Sequence, residues 1–151
     1  AGTERGITEP QAAFSPCFGG PFLPQHPTVY ARLLGEKMRK HQTHAYLVNT
    51  GWSGGGYGVG KRMNLPTTRA IIHAILDGSI ESSSYTTHSI FNVLVPQEVA
   101  GVESSVLQPR DTWSDKDAYD AAAMKLASLM VEKFKVYQSD EFDLDQYGPK
   151  L

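Results

Sequence analysis

The nine residues GGYGVGKRM, Gly55 to Met63, come closest in this chain to a known chemical device. Seven of the eight positions from Gly55 to Arg62 fit the pattern G-x-x-x-x-G-K-[ST]. In that device backbone N–H groups at a helix N-terminus cradle phosphate oxygens, the lysine neutralises charge and the hydroxyl reaches magnesium. The eighth position here is Arg62, which offers donors only and cannot ligate a metal. The helix signal also comes late: Pro66-Thr67-Thr68 predicts a helix beginning around Thr67 or Thr68, not at Lys61. The phosphate–magnesium cradle therefore fails on two counts. What remains is a glycine loop that lets the backbone approach a ligand closely, followed by two cations and a helix start. Arg62 can stack on a planar ring or fork onto an oxyanion, and Thr68 can cap the helix with its hydroxyl. A purely structural reading fits the spacing as well: a tight connection, a surface cation and a cap.

Other reactive side chains carry weaker signals. Cys17 has no histidine near it in sequence and reads as a structural thiol. The histidines at 26, 41, 44, 73 and 88 lack metal-ligand spacing; His41 and His44 straddle a predicted helix end. Glu4 and Glu9 could act as acid and base only if their segment closed onto a substrate. Trp52 reads as a core or loop anchor. Asp140, Glu141, Asp143 and Asp145 read as a solvated acidic tail.

The elements around the loop follow from pattern. Pro27 at a helix start, then Tyr30, Leu33, Leu34 and Met38, predict a helix through about His41. The run Ala45–Asn49 predicts a buried strand, and the six glycines of residues 50 to 62 a loop. Ile71, Ile72, Ile75 and Leu76 form the apolar face of the next helix, with Gly78 as its stop. Residues 84 to 95 predict strands, with Phe91, Val93 and Val95 alternating. Ser114 to Asp117 resembles a capping box, and Tyr119, Ala123, Leu126, Met130, Phe134 and Tyr137 make one stripe of a long helix. The order predicts an α/β or α+β layout with an incomplete sheet, better suited to a piece of a larger domain.

Composition sets the outer bounds. The chain has 151 residues, is 40% hydrophobic and carries a net charge of -2. That is ordinary globular composition, with no bulk charge arguing for a nucleic-acid or membrane surface. One cysteine cannot form an internal disulfide, so a cytoplasmic location is expected. The first 27 residues hold Pro10, Pro16, Pro21, Pro24 and Pro27 together with Phe14, Phe18, Phe22 and Leu23. An irregular segment with apolar side chains is expected to pack on something outside itself.

TERGITEP (3–10), CFGGPFLPQHPTVYA (17–31), LVNTGWSGGGYGVGKRM (47–63), TRAII (68–72) and GPKL (148–151) closely resemble the C-terminal part of ATP-dependent phosphoenolpyruvate carboxykinases. The loop is the longer GGGYGV form; Pro16 and Gln25 depart from the family pattern, which has smaller or apolar residues there. The resemblance implies the C-terminal part of a mononucleotide-binding domain, a mixed sheet flanked by helices, over residues 15–151. It implies an active-site lid over residues 1–14, with Thr3, Glu4, Arg5 and Gly6 at its heart. It further implies that Arg62, Met63 through its backbone, and Thr68 line the adenosine pocket. The activity implied is conversion of oxaloacetate and ATP to phosphoenolpyruvate, carbon dioxide and ADP in gluconeogenesis, with magnesium and manganese. The phosphate loop, metal ligands and oxaloacetate-binding arginines would lie upstream, in the remainder of the same enzyme. No catalytic or metal-binding residue is then expected in this segment, which should be inactive alone. A non-enzymatic nucleotide-binding or interaction module reusing this fold piece is the alternative.

Overall fold

Pro27 locks the backbone angle that a first helical turn needs, and α1 runs Pro27–His41 as its pattern predicts. Its end is set by Gln42, which takes a left-handed conformation at φ 49 and donates its N–H to the Met38 carbonyl. The computed structural model describes Arg5, Gly6, Thr8, Phe14, residues 20–138 and residues 147–151. Thr3, Glu4, Glu9, Pro16, Cys17 and the acidic residues 140, 141, 143 and 145 lie outside that set, as does most of the expected lid. The chain divides into two compact units: residues 1–46 with 129–148, and residues 47–128 with 149–151. In the first, α1 contributes no buried residue, and His26 and Phe134 each set a ring about 6 Å from that of Tyr137.

The second unit holds the remaining strands and helices as far as Ser128, within the last long helix, whose final residues belong to the first unit. Strands β1 (Trp52–Ser53) and β2 (Lys61–Arg62) pair antiparallel, so the glycine stretch is a β-hairpin. Helix α2 (Leu65–Leu76) follows, then β3 (Tyr85–Thr87) and β4 (Leu94–Pro96), paired antiparallel with Thr86 opposite Val95. Two short helices, α3 (Ser104–Leu107) and α4 (Pro109–Thr112), lead into α5 (Lys116–Phe134). The described residues thus mix helices with two separate two-stranded antiparallel sheets. They do not by themselves form the mixed sheet that the resemblance implies. No helix among them is long and apolar enough to cross a membrane.

Several local expectations shift by a residue or more, each for a physical reason. Ala45–Asn49 forms no strand, because no described segment pairs with it, and Leu47 is 94% exposed. Helix α2 begins at Leu65, earlier than the Thr67 or Thr68 start, because Asn64 caps it: its Oδ1 accepts from the Thr67 N–H at 2.8 Å. Thr68 is therefore not the cap. Likewise Asp115, not Ser114, caps α5, its carboxylate accepting from the Ala118 N–H at 2.9 Å. Phe91 and Val93 sit in the turn between β3 and β4, where Asn92 is left-handed at φ 55.

Among the described residues the buried hydrophobics are Ala74, Ile80, Val99, Tyr119, Ala123 and Ala127. On α5 the buried stripe is Tyr119, Ala123 and Ala127, spaced four apart. Leu126 and Met130, expected to be buried, face outward, because alanines let the helix seat closely where larger side chains would hold it off.

Tyr119 anchors a polar link into this core. The Nδ1 atom of His88 accepts from the Ile90 and Phe91 N–H groups at 3.2 and 3.3 Å, so its Nε2 carries the hydrogen and donates to the Tyr119 hydroxyl at 2.9 Å. Burial holds the imidazole below its ordinary value of 6.5. The unfolded chain therefore takes up this proton more readily. The stabilisation from His88 is complete above about pH 6.5 and is lost as pH falls through the lower folded value. The thermal midpoint is expected to drop between about pH 7.5 and about pH 5.5, and His88→Gln to flatten that slope. An unchanged slope in the variant would assign the dependence to other groups.

Candidate functional site

The hairpin is shaped by glycines at its narrowest points. A Cβ built on Gly60 would stand 2.2 Å from the Gly55 carbonyl oxygen, so only glycine lets the two arms pass. At the tip, the Gly56 carbonyl accepts from the Val59 and Gly60 N–H groups at 3.2 and 2.8 Å. Gly54 is left-handed at φ 80 and donates its N–H to the Thr112 hydroxyl at 3.0 Å. Thr112 in turn donates to the Pro109 carbonyl at 2.7 Å, which ties the hairpin to α4. At the base, the Met63 N–H donates to the Gly51 carbonyl at 2.9 Å.

Register then places the side chains. Trp52 lies directly opposite Arg62, and Ser53 opposite Lys61. Cross-strand partners share a face, and the Arg62 guanidinium carbon stands 5.2 Å from the Trp52 ring centroid, within cation–π range. Tyr57 at the tip meets the same indole edge-on, with centroids 5.8 Å apart.

Beside the hairpin lies a cleft of about 380 Å³, lined by Ser53, Gly54, residues 59–64, Thr67, Val106 and Thr112. It therefore brings Arg62 and Met63 together with Lys61, Asn64 and Thr67. Thr68 is absent from the lining. Its hydroxyl donates to the Asn64 carbonyl at 3.1 Å, inside the first turn of α2. Of the residues expected in a lid, Arg5 and Gly6 form an exposed turn with Gly6 at φ 83. Lys61 and Arg62 lie on a strand, four residues from the start of α2 in the case of Lys61. No helix N-terminus opens at the lysine, so the phosphate-cradle geometry is not formed by this loop. Asn64, Thr112 and the stacking role of Trp52 escaped sequence reasoning. The glycine run between tryptophan and arginine was a usable hairpin signal; Thr112, 58 residues from Gly54, left no local trace.

Fold and cleft together define a mixed helix-and-strand chain that presents two cations from a glycine hairpin beside a capped helix. The model of the phosphoenolpyruvate carboxykinase family matches residues 1–105, and the chain belongs to that family. It is 57% identical, over its whole length, to the phosphoenolpyruvate carboxykinase (ATP) of Campylobacter jejuni serotype O:23/36, spanning 29% of that protein. It is 62% identical over 91% of its length to the Campylobacter lari enzyme of the same name, spanning 26% of it. It is 58% identical over 99% of its length to the one from Leptospira biflexa, spanning 28%. The chain thus covers less than a third of the length of these relatives.

Proposed function

We propose that this chain is the C-terminal portion of an ATP-dependent phosphoenolpyruvate carboxykinase and supplies the adenosine side of its ATP pocket. The observation that carries this reading is Arg62, held over an indole and lining a cleft with Met63, where the glycine loop exits as a strand. A loop without a helix N-terminus is poorly suited to phosphates, but a planar cation and a backbone carbonyl suit a base. Thr68 does not line this cleft, but its hydroxyl, while donating to the Asn64 carbonyl, can still accept from an amino group of the nucleotide.

In the whole enzyme oxaloacetate loses carbon dioxide, and the oxygen of the resulting enolate takes the γ-phosphoryl group of ATP. That step depends mainly on positioning and charge neutralisation, and its magnesium, manganese and phosphate-binding groups belong to the upstream portion. Among the described residues no group of three or more His, Cys, Asp or Glu could hold a metal ion. Residues 1–14, with Thr3, Glu4, Arg5 and Gly6, act as the lid that shuts water away from the enolate.

The upstream portion also completes the fold. Leu65, Ile72 and Leu76 are 70%, 40% and 78% exposed along one face of α2, while Ala74 is buried on another. A helix apolar on more than one face belongs inside a larger domain. Ala45–Asn49 is the strand that the missing sheet would pair.

Arg62→Ala in the full-length enzyme should raise the KM for ATP about tenfold, or roughly 1–2 kcal/mol for a lost charged contact. Steady-state kinetics at saturating oxaloacetate measures this. An unchanged ATP dependence would take Arg62 out of the pocket.

A further inference from the structure

Arg62 is a long side chain on a two-residue strand, with an exposed neighbour, Lys61, on the opposite face. An arginine so placed samples many rotamers, and ordering it only when ligand arrives weakens binding. Here the ordering is already present. Trp52 lies opposite Arg62 in the hairpin register and offers its ring at 5.2 Å. Its own ring is met in turn by Tyr57, edge-on at 5.8 Å, and the tight crossing of Gly60 past Gly55 leaves the two hairpin arms little room to separate. An indole face attracts the guanidinium without consuming its N–H edge, so the stacked cation stays available to a second planar group or an oxygen.

We propose that Trp52 is the positioning residue for Arg62: it holds the guanidinium over its ring before ATP binds, so that the adenine end of the nucleotide meets a preformed cation. The inference rests on the nucleotide reading of Arg62 given above. Tyr57 supports Trp52 from the hairpin tip. Trp52 itself need not touch the nucleotide; its effect passes through Arg62.

The test is a double-mutant cycle in the full-length carboxykinase, reading KM for ATP and KM for oxaloacetate separately. Trp52→Leu is expected to raise the KM for ATP about fivefold while oxaloacetate KM moves less than about twofold. Trp52→Phe retains an aromatic face and is expected to restore ATP KM to within about twofold of the native enzyme. Trp52→Leu with Arg62→Ala is expected to be no worse than Arg62→Ala alone, because the two residues act as one unit. Three results would overturn the proposal: an ATP KM insensitive to Trp52→Leu, a full extra penalty on the Arg62→Ala background, or equal rises for both substrates. If Arg62→Ala itself leaves ATP KM unchanged, the nucleotide reading falls and this inference falls with it. If Arg62→Ala raises it and Trp52→Leu does not, only the positioning role is lost.

Discussion

Gly60→Ala in the full-length enzyme is expected to raise the KM for ATP about a hundredfold, more than the loss of Arg62 itself, corresponding to about 2.7 kcal/mol. The added methyl would stand 2.2 Å from the Gly55 carbonyl oxygen, 2.8 Å from the Gly55 carbonyl carbon and 2.9 Å from the Ser53 oxygen. All three are backbone atoms, so no rotamer change relieves the clash; the two arms of the hairpin must separate. Separation takes Arg62 off Trp52 and moves the Met63 backbone, so the whole adenosine side fails at once. Gly56→Ala is the control. A methyl there meets nothing within 4 Å, and the variant should bind ATP like the native enzyme. ATP titrations and thermal midpoints of the two variants measured side by side decide the matter. A Gly60→Ala enzyme with native ATP dependence would show that the hairpin does not shape the pocket.

The 151-residue chain by itself is expected to form no phosphoenolpyruvate from oxaloacetate and ATP, and to bind ATP more weakly than about 1 mM. The physical reason lies in how its polar groups are already used. The start of α2, which could have received a phosphate, has its Thr67 N–H satisfied by Asn64 at 2.8 Å. The lysine that would face the phosphate sits on β2, not on a helix N-terminus. What remains for ATP is one stacked guanidinium, the Lys61 ammonium on a strand and a few polar groups, enough to recognise one end of the nucleotide and too little to hold its phosphates. A coupled assay for phosphoenolpyruvate and an equilibrium ATP titration, each with and without magnesium, check both parts. Robust turnover by the chain alone would overturn the division of labour proposed here, and tight ATP binding would favour a self-sufficient nucleotide-binding module.

Local chemistry was legible wherever a residue acts on its own neighbourhood. Pro27 and the spacing of Tyr30, Leu33, Leu34 and Met38 predict α1 at its observed bounds, Pro27–His41. Gly78 ends the region of α2 in a left-handed conformation at φ 77, two residues after Leu76. Where two neighbours compete for one job, the pattern went wrong by a residue or more. Asn64 displaced Thr68 as a cap because its side chain reaches the Thr67 N–H. Asp115 displaced Ser114 in the same way at the start of α5. Apolar pattern alone also misplaced Ala45–Asn49 and the outward-facing Leu126 and Met130, since burial depends on what arrives from elsewhere in the chain.

That GGYGVGKRM is no phosphate–magnesium cradle is legible in its residues alone, because a missing hydroxyl and a late helix are local facts. The sequence also carried the family resemblance, through stretches spread along the chain. The folded chain, in contrast, makes the glycines a hairpin crossing at Gly60, sets Trp52 and not a carboxylate under Arg62, and moors the loop to Thr112 of α4. Those depend on strand register and on contact between residues as far apart as Gly54 and Thr112. Neither leaves a period or a spacing for a linear reading to find.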